Sequence, residues 1–234
     1  MESLESIASK YNVDKLELGY LRHYEERFEP IRNEVTKVLE IGVETGCSHR
    51  MWLEYFPNAT IYGIDIFVYG VDEFNELQEG NPNLDRSITF KGDQSNTDDL
   101  GNFISQYGSD FDIIIDDGGH TMKQQQTSMR ELFSKVKSGG FYVVEDLHTC
   151  SGEWNELYGY KVIEEGDTLT TDLLDSFQDF TSEVTETSYL SKEDIKNIES
   201  SIKSCITEIG VSSYTNPKGY TYRWPTMLSF MEMK

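Results

Sequence analysis

Short apolar runs alternate with helix-like stretches along the first two-thirds of the chain. The runs that are typical of buried strands are Lys37–Ile41, Thr60–Asp65, Ser87–Phe90, Phe111–Ile115 and Phe141–Val144. Helical spacing of apolar residues appears at Ser48–Phe56 and from about Met122 to Val136, where Lys137-Ser-Gly-Gly140 is expected to end the helix. Strands and helices that alternate at this spacing indicate an α/β protein with a mostly parallel sheet covered on both faces.

The alternation breaks after residue 150. Two helical patterns follow, near Leu169–Phe180 and at Lys192–Lys203, and two strand-like segments, residues 205–211 and 222–233, close the chain. Residues 160–200 hold eleven acidic residues and three lysines, which is typical of a solvated helix face. With these two strands the sequence predicts a seven-stranded sheet.

Domain organisation follows from the same pattern. We predict an N-terminal helical segment at residues 1–34 and a single α/β domain at 35–234, with an acidic helical insert at about 160–204. In the N-terminal segment Tyr20, Tyr24, Phe28 and Ile31 share one helical face, which predicts packing against the domain.

The composition limits the kinds of partner that the chain could bind. The chain has 234 residues and a formal charge of −22, from 42 acidic and 20 basic residues, and this disfavours nucleic acid and anionic membranes as partners. Its beginning has no apolar signal region, and its three cysteines have no metal-site spacing. We therefore expect reduced thiols in a cytoplasmic protein, and a homo-oligomer is left open.

Polar or glycine-rich segments follow each predicted parallel strand. They are residues 40–46, 64–66, 92–96, 116–120 and 145–149. Open α/β sheets bind ligands beyond the carboxyl ends of their strands, so these segments are the candidate site.

A glycine turn follows the first strand. Gly42 and Gly46 would let a ligand approach the backbone, and Asp65, 23 positions after Gly42, stands where a ribose would present hydroxyls. Glu44 replaces the second glycine of the phosphate-binding motif and would repel a pyrophosphate. We therefore interpret the turn as a site for an adenosine ligand without phosphates, such as S-adenosylmethionine. The alternative interpretation is an ordinary tight turn that binds no ligand.

Acidic residues end the fourth and fifth strands. If those strands are neighbours, Asp117 meets Glu145 and Asp146, and three clustered carboxylates would raise one another's pKa values. A hard divalent cation removes this conflict, and an oxygen donor set favours Mg²⁺, or Mn²⁺ or Ca²⁺, over zinc. The alternative interpretation is that these acids only cap helices or are solvated at the strand ends.

His120 is the candidate general base. Thr121 and Gln124 have the spacing of a capping box, so His120 lies just before a helix N-terminus. That helix end and a nearby cation would lower the pKa of the imidazole, as a general base requires. His148 is a second candidate, and a loop histidine without chemistry is the alternative. The two glycines before His120 are expected to let a substrate approach.

Four stretches together resemble a known family. They are VLEIGVETG at 38–46, IIIDDGGHT at 113–121, GGFYVVEDLHT at 139–149 and the segment Asp14–Arg32. They resemble the TylF/MycE-type metal-dependent class I sugar O-methyltransferases of macrolide biosynthesis, and are also similar to cephalosporin-hydroxylase-like proteins. The resemblance covers roughly residues 7–160 and fades from 160 to 200.

The resemblance implies a Rossmann-like class I methyltransferase fold and assigns roles to residues. The cofactor S-adenosylmethionine would contact Glu40, Gly42, Gly46, Asp65, Asp93 and Gln94. One magnesium ion would be held by Asp117, Glu145 and Asp146, with His120 as the base. Glu44 stands where the family often has a further glycine, so contacts at that turn are expected to differ.

The resulting function is methylation of a sugar hydroxyl on a small-molecule, glycan or nucleotide-sugar acceptor. Three alternatives stay open: a methyltransferase for a catechol or other vicinal diol, a nicotinamide-dependent oxidoreductase, and a non-catalytic protein of the same fold. The missing glycine disfavours the oxidoreductase. A Tyr-x-x-x-Lys motif does occur at Tyr11–Lys15, but it precedes the first strand, which is the wrong place for the catalytic pair of a dehydrogenase. Acceptor choice is expected to depend on the divergent region after Trp154.

Overall fold

The computed structural model describes residues 2–67, 74, 79–150, 162–179, 184–215 and 221–234. Residues 151–161, where the divergent region begins, and residues 180–183 of the predicted insert lie outside the described residues. Among the helices in the described ranges, none has the length and apolar character that crossing a bilayer requires.

Within the described residues, seven strands form one sheet. They are β1 (Lys37–Ile41), β2 (Thr60–Asp65), β3 (Ser87–Lys91), β4 (Phe111–Asp116), β5 (Val136–Val144), β6 (Ile202–Thr215) and β7 (Thr221–Met233). Their spatial order is β3-β2-β1-β4-β5-β7-β6. β7 runs antiparallel to both of its neighbours, and the other paired strands are parallel. Because β1 lies between β2 and β4, the strand order reverses there, and this is the point where such sheets bind ligands.

Helices cover both faces of the sheet. They are α1 (Leu4–Tyr11), α2 (Leu21–Phe28), α3 (Cys47–Tyr55), α4 (Thr97–Tyr107), α5 (Met122–Leu132), α6 (Thr170–Asp179) and α7 (Lys192–Ser201). Single 3-10 turns lie at Asp14–Leu16, Glu29–Ile31, Leu84–Arg86, Phe133–Lys135 and Leu147–Cys150. The apolar pattern of the sequence does not predict α4. Its N-cap Asn96 accepts a hydrogen bond from the Asp98 amide, and its Leu100 and Phe103 are buried.

Alternate residues of the central strands supply two separate cores. Val38 and Ile113 pack with Trp52 and the apolar faces of α1, α2 and α3, whereas Leu39 and Ile114 pack with α4, α5, α6 and α7. The alternation follows from the two-residue period of a strand. The N-terminal helices therefore share a core with the sheet, and Tyr24 and Phe28 are fully buried in it.

β5 begins earlier than the sequence predicted. The preceding helix ends at Leu132, and Val136 already pairs with Phe111 of β4. The run 137–140 therefore belongs to the strand. A Cβ at Gly140 would lie 2.5 Å from the carbonyl oxygen of Asp112, so this glycine allows the close approach that the irregular register requires.

Candidate active site at the carboxyl ends of the strands

A cavity of about 570 Å³ opens beyond the carboxyl ends of β1, β2, β3, β4 and β5. Six carboxylic residues line it: Asp14, Glu44, Asp65, Asp93, Asp117 and Asp146. Among the described lining residues there is no lysine or arginine. Such a wall favours a cationic or neutral ligand over a phosphate.

Asp65 holds the glycine turn in place. Its Oδ2 accepts hydrogen bonds from the amides of Val43, at 2.7 Å, and Glu44, at 2.9 Å, and Oδ1 accepts one from the amide of Phe67. Glu44 has a φ of 50°, and Gly42 has a φ of 83°. Because Asp65 also lines the cavity, one carboxylate both shapes the turn and faces the ligand space.

Gly42 brings the turn against the end of β4. A Cβ at this position would lie 2.0 Å from the carbonyl oxygen of Asp117, so a larger residue would force the two strand ends apart. The glycine turn and the predicted metal-binding segment are therefore packed backbone to backbone.

Glu40 and Gly46, predicted to contact the cofactor, lie outside the described cavity wall. Glu40 is fully buried, where its Oε1 accepts a hydrogen bond from the Trp52 indole at 3.1 Å. Its Oε2 lies 3.7 Å from Nδ1 of His49. Gly46 precedes α3 as its N-cap residue with a φ of 82°. Both residues thus contribute to the turn from the side that faces away from the cavity.

Gln94, predicted to face an adenine beside Asp93, lines the cavity but uses its amide within the protein. Its Nε2 donates to Oδ1 of Asp116 at 2.9 Å and to Ser128 Oγ at 3.0 Å, and its Oε1 accepts from the amide of Gly119 at 2.8 Å. Gln94 therefore fastens the segment after β4 to the one after β3.

The two glycines before His120 accommodate glutamine side chains. A Cβ at Gly118 would lie 1.7 Å from Oε1 of Gln94, and one at Gly119 would lie 2.0 Å from Nε2 of Gln124. Any larger residue would displace these glutamine side chains. Both glycines also line the cavity, so the approach of a substrate there stays a prediction.

Asp117, His120 and Asp146 converge. Each offers one ligand atom, and these atoms all lie within 4.8 Å of one another. Nε2 of His120 is 3.4 Å from Oδ2 of Asp146. All three residues line the cavity, so the predicted neighbouring strand ends do bring two acids and the imidazole to one place.

Glu145 is set apart from this group because two N-terminal residues bind it. Its Oε2 accepts a hydrogen bond from Nζ of Lys15 at 2.9 Å, and its Oε1 accepts one from the Tyr24 hydroxyl. Lys15 also donates to Oδ2 of Asp117. Tyr20, one turn before Tyr24, donates to Oδ1 of Asp146 at 2.8 Å.

The sequence pattern does not predict the contacts of Lys15 or these hydroxyl bonds. The side chains of Lys15, Tyr20 and Tyr24 are fully buried, and the helical spacing of the tyrosines favours packing over substrate contacts. The available signal was the family resemblance of the segment Asp14–Arg32, which includes polar residues although no predicted strand lies there.

Burial and charge shift the pKa values of the group. Burial and the neighbouring Glu145 raise the pKa of Asp117 well above its ordinary value, against the opposing charge of Lys15. Burial also raises the pKa of Glu145 to about 7. Burial lowers the pKa of His120, Asp146 opposes this, and Lys15 adds to it. The predicted direction for the imidazole is confirmed, with burial as its main cause.

The donor set fits a hard divalent cation. Asp117 and Asp146 offer carboxylate oxygens within reach of one point, beside His120. His148 lies deeper, with Nδ1 3.9 Å from Oδ1 of Asp146, and is not on the described cavity wall. His120 is therefore the histidine that faces the ligand space.

The strand order, the antiparallel β7 and the site at the reversal point define the Rossmann-like class I methyltransferase fold. An O-methyltransferase from Bacillus cereus, solved with SAH, has this fold with a TM-score of 0.54 at 12% identity, covering 99% of this chain and 90% of that one.

The chain is similar to sugar O-methyltransferases of macrolide and tetracenomycin pathways. MycE methyltransferase from the mycinamycin pathway, solved in complex with Mg and SAH, superposes with a TM-score of 0.65 at 27% identity over 99% of this chain and 55% of that one. No protein-family profile matches the chain.

Curated relatives agree with this similarity. A tetracenomycin 3'-O-methyltransferase of Streptomyces olivaceus is 38% identical over 64% of this chain and 38% of its own length. Mycinamicin VI 2''-O-methyltransferase of Micromonospora griseorubida is 38% identical over 63% of this chain and 36% of its own. The chain thus matches less than half the length of these relatives. The predicted resemblance is confirmed.

Proposed function

We propose that this chain is an S-adenosylmethionine-dependent O-methyltransferase that acts on a sugar hydroxyl of a small-molecule acceptor. The observation that carries the proposal is the convergence of Asp117, His120 and Asp146 on the wall of a cavity that also contains the glycine turn and Asp65. A proton acceptor, a candidate cation site and a candidate adenosine site therefore share one space.

Similar proteins support the class of reaction. The two curated relatives are named as O-methyltransferases of a rhamnosyl tetracenomycin and of mycinamicin VI, and MycE was solved with Mg and SAH. The proposed cofactors are accordingly S-adenosylmethionine and Mg²⁺.

The cavity wall suits the sulfonium cofactor. Glu44, Asp65 and Asp93 present carboxylates around the glycine turn, and this negative wall attracts a cation but repels the phosphates of a nicotinamide dinucleotide. Asp65 would hold the ribose hydroxyls while it keeps its bonds to the turn. Gly42 would leave the backbone accessible to the methionine end. S-adenosylmethionine supplies an already activated methyl group.

Asp117 and Asp146 would hold the magnesium ion from the ends of two neighbouring strands. Glu145 was predicted as a third ligand, and in this structure its carboxylate binds Lys15 and Tyr24. Bound Mg²⁺ supplies Lewis acidity that makes a hydroxyl easier to deprotonate.

His120 would remove the proton of the acceptor hydroxyl. Its lowered pKa keeps the imidazole neutral at neutral pH, and Asp146, 3.4 Å from Nε2, orients the ring and stabilises it once protonated. The oxygen would attack the methyl carbon while the carbon–sulfur bond breaks. The protein's remaining task is to align oxygen, carbon and sulfur.

The proposed acceptor is a glycosylated small molecule, with no role for nucleic acid or a membrane. All three cysteines are free thiols in the structure, which suits the proposed cytoplasmic setting.

Methyl transfer from labelled S-adenosylmethionine tests the proposal. The panel should contain glycosides, nucleotide-sugars and free sugars, with catechols as a separate arm. Label transfer to a sugar hydroxyl that stops with EDTA and resumes with Mg²⁺ is expected. Transfer to catechols alone would move the activity to vicinal diols, and EDTA-resistant transfer would contradict the metal assignment.

A further inference from the structure

Lys15 is a cation enclosed within the acidic cluster. It lies on the single turn Asp14–Leu16 between α1 and α2, and its side chain is fully buried. Nζ donates to Oδ2 of Asp117 and, at 2.9 Å, to Oε2 of Glu145. It is not on the described cavity wall, so it reaches the site from behind.

We propose that Lys15 is the resident counter-cation of this site, a positioning residue that competes with the divalent cation for Asp117. Its ammonium offsets part of the negative charge of Asp117 and Glu145 while no metal is bound, and it weakens metal binding because both cations need the same carboxylate. This inference rests on the proposed function in one respect, the metal site at Asp117.

The charge balance favours such a cation. Asp117, Glu145 and Asp146 are three carboxylates on two adjacent strand ends, and Glu145 has no exposed side-chain surface. Their described ion pairs come from Lys15 and from His120 and His148. Of these, Lys15 alone carries a permanent charge. Without it the buried acids would repel one another, and the folded chain would lose stability.

The geometry makes the competition specific. Lys15 contacts Asp117, which also faces the cavity as a candidate metal ligand, whereas Asp146 is held by the hydroxyl of Tyr20. A neutral donor such as Tyr20 stabilises a carboxylate without adding a positive charge. The repulsion between an ammonium and a divalent cation is reciprocal, so each cation weakens binding of the other.

A lysine that only holds the N-terminal segment in place would affect metal affinity differently. In both cases removal of the ammonium lowers stability. Only a competing cation would make metal binding tighter when it is removed, because a purely structural loss leaves metal affinity unchanged or weaker.

Lys15→Met and Lys15→Arg are the test pair, since methionine keeps the apolar stem and arginine keeps the charge. Thermal unfolding in EDTA and Mn²⁺ affinity by electron paramagnetic resonance are measured on both and on the wild type. We expect Lys15→Met to unfold at a lower temperature and to bind Mn²⁺ on the order of tenfold more tightly. Lys15→Arg should stay close to the wild type. Equal or weaker Mn²⁺ binding by Lys15→Met would overturn the proposal.

A wild-type measurement keeps the test valid if Lys15→Met does not fold. Nitrogen-15 spectra of lysine ammonium groups should show one slowly exchanging signal, assigned to Lys15 by its loss in Lys15→Arg. Saturating Mg²⁺ should shift it or speed its exchange. An unchanged signal with Mg²⁺ bound would overturn the competition.

The methylation panel separates this inference from the proposed function. Tighter Mn²⁺ binding by Lys15→Met, together with no label transfer by the wild type, would support the competition and contradict the proposed function. Label transfer by the wild type with unchanged Mn²⁺ affinity in Lys15→Met would do the reverse.

Discussion

Nε2 of His120 lies 3.4 Å from Oδ2 of Asp146, and the second oxygen of the same carboxylate accepts a hydrogen bond from Tyr20 at 2.8 Å. The imidazole comes from the segment after β4, the carboxylate follows β5, and the hydroxyl precedes α2. Three distant parts of the chain therefore meet beside one imidazole ring at the cavity wall.

His120→Gln should lower turnover about 10²–10⁴-fold, because glutamine fills similar space but cannot accept the proton. Binding of S-adenosylmethionine, measured by calorimetry, should stay within about twofold of the wild type. Single-turnover transfer of labelled methyl gives the rate. A rate near that of the wild type would exclude His120 as the base and make His148 or water the candidate.

Tyr20→Phe should lower stability by about 2 kcal/mol, because it removes a buried hydrogen bond to a charged carboxylate. It should also lower turnover less than His120→Gln does, since Asp146 would lose only part of its support. Urea unfolding and initial rates measure the two effects. Tyr11→Phe is the matched control. The Tyr11 hydroxyl donates to Glu54 over 2.7 Å, and this bond lies outside the cavity wall. If the two variants lost equal turnover, Tyr20 would have no special role at the site.

Asp65→Asn should weaken binding of S-adenosylmethionine at least about tenfold, because an amide replaces one of two oxygens that accept three backbone hydrogen bonds. Mn²⁺ binding should not change. Calorimetry with each ligand separates the effects, with Asp85→Asn on an exposed turn as the control. Unchanged cofactor affinity in Asp65→Asn would contradict the assignment of the glycine turn.

Asp112→Asn should lower stability by about 2 kcal/mol at pH 7 and by less at low pH. Burial alone would raise the pKa of Asp112, but hydrogen bonds from Lys137 and Thr36, and from the Lys37 amide, lower it below its ordinary value. A carboxyl group with a lowered folded-state pKa stabilises the fold above its unfolded pKa, about 4, and loses this contribution as pH falls through the folded value.

Urea unfolding of the wild type and Asp112→Asn at pH 7 and pH 3 measures this dependence. The gap between the two proteins should narrow at pH 3. A gap of the same size at both values would show that the carboxylate's charge does not tie the beginnings of β1 and β4 together.

Much of the fold was predictable because strand signals are local. β1 and β2 have the predicted bounds, and β4 extends one residue beyond the prediction, since each is a compact apolar run between turn residues. α4 was missed because Thr97–Tyr107 carries acids and glycine among few apolar residues, and its apolar face is evident only against the sheet. The start of β5 was missed because Lys137–Gly140 resembles a helix end.

The site was predictable where motifs follow strands and unpredictable where partners come from far away. Asp117, Asp146 and His120 converge as the adjacent strand ends implied. Contacts of Lys15 with Glu145, 130 residues apart in sequence, depend on how the N-terminal segment packs. No periodicity encodes such a contact.

The most direct test of the central claim is the effect of Mn²⁺ on the relaxation of the methyl protons of bound S-adenosylmethionine, without an acceptor. On the proposed function, a cation held at Asp117 and Asp146 would lie beside the cofactor, so Mn²⁺ should speed methyl relaxation strongly in the wild type and not in Asp117→Asn. If both ligands bind the wild type and methyl relaxation stays at its metal-free rate, the cation and the cofactor do not share this cavity.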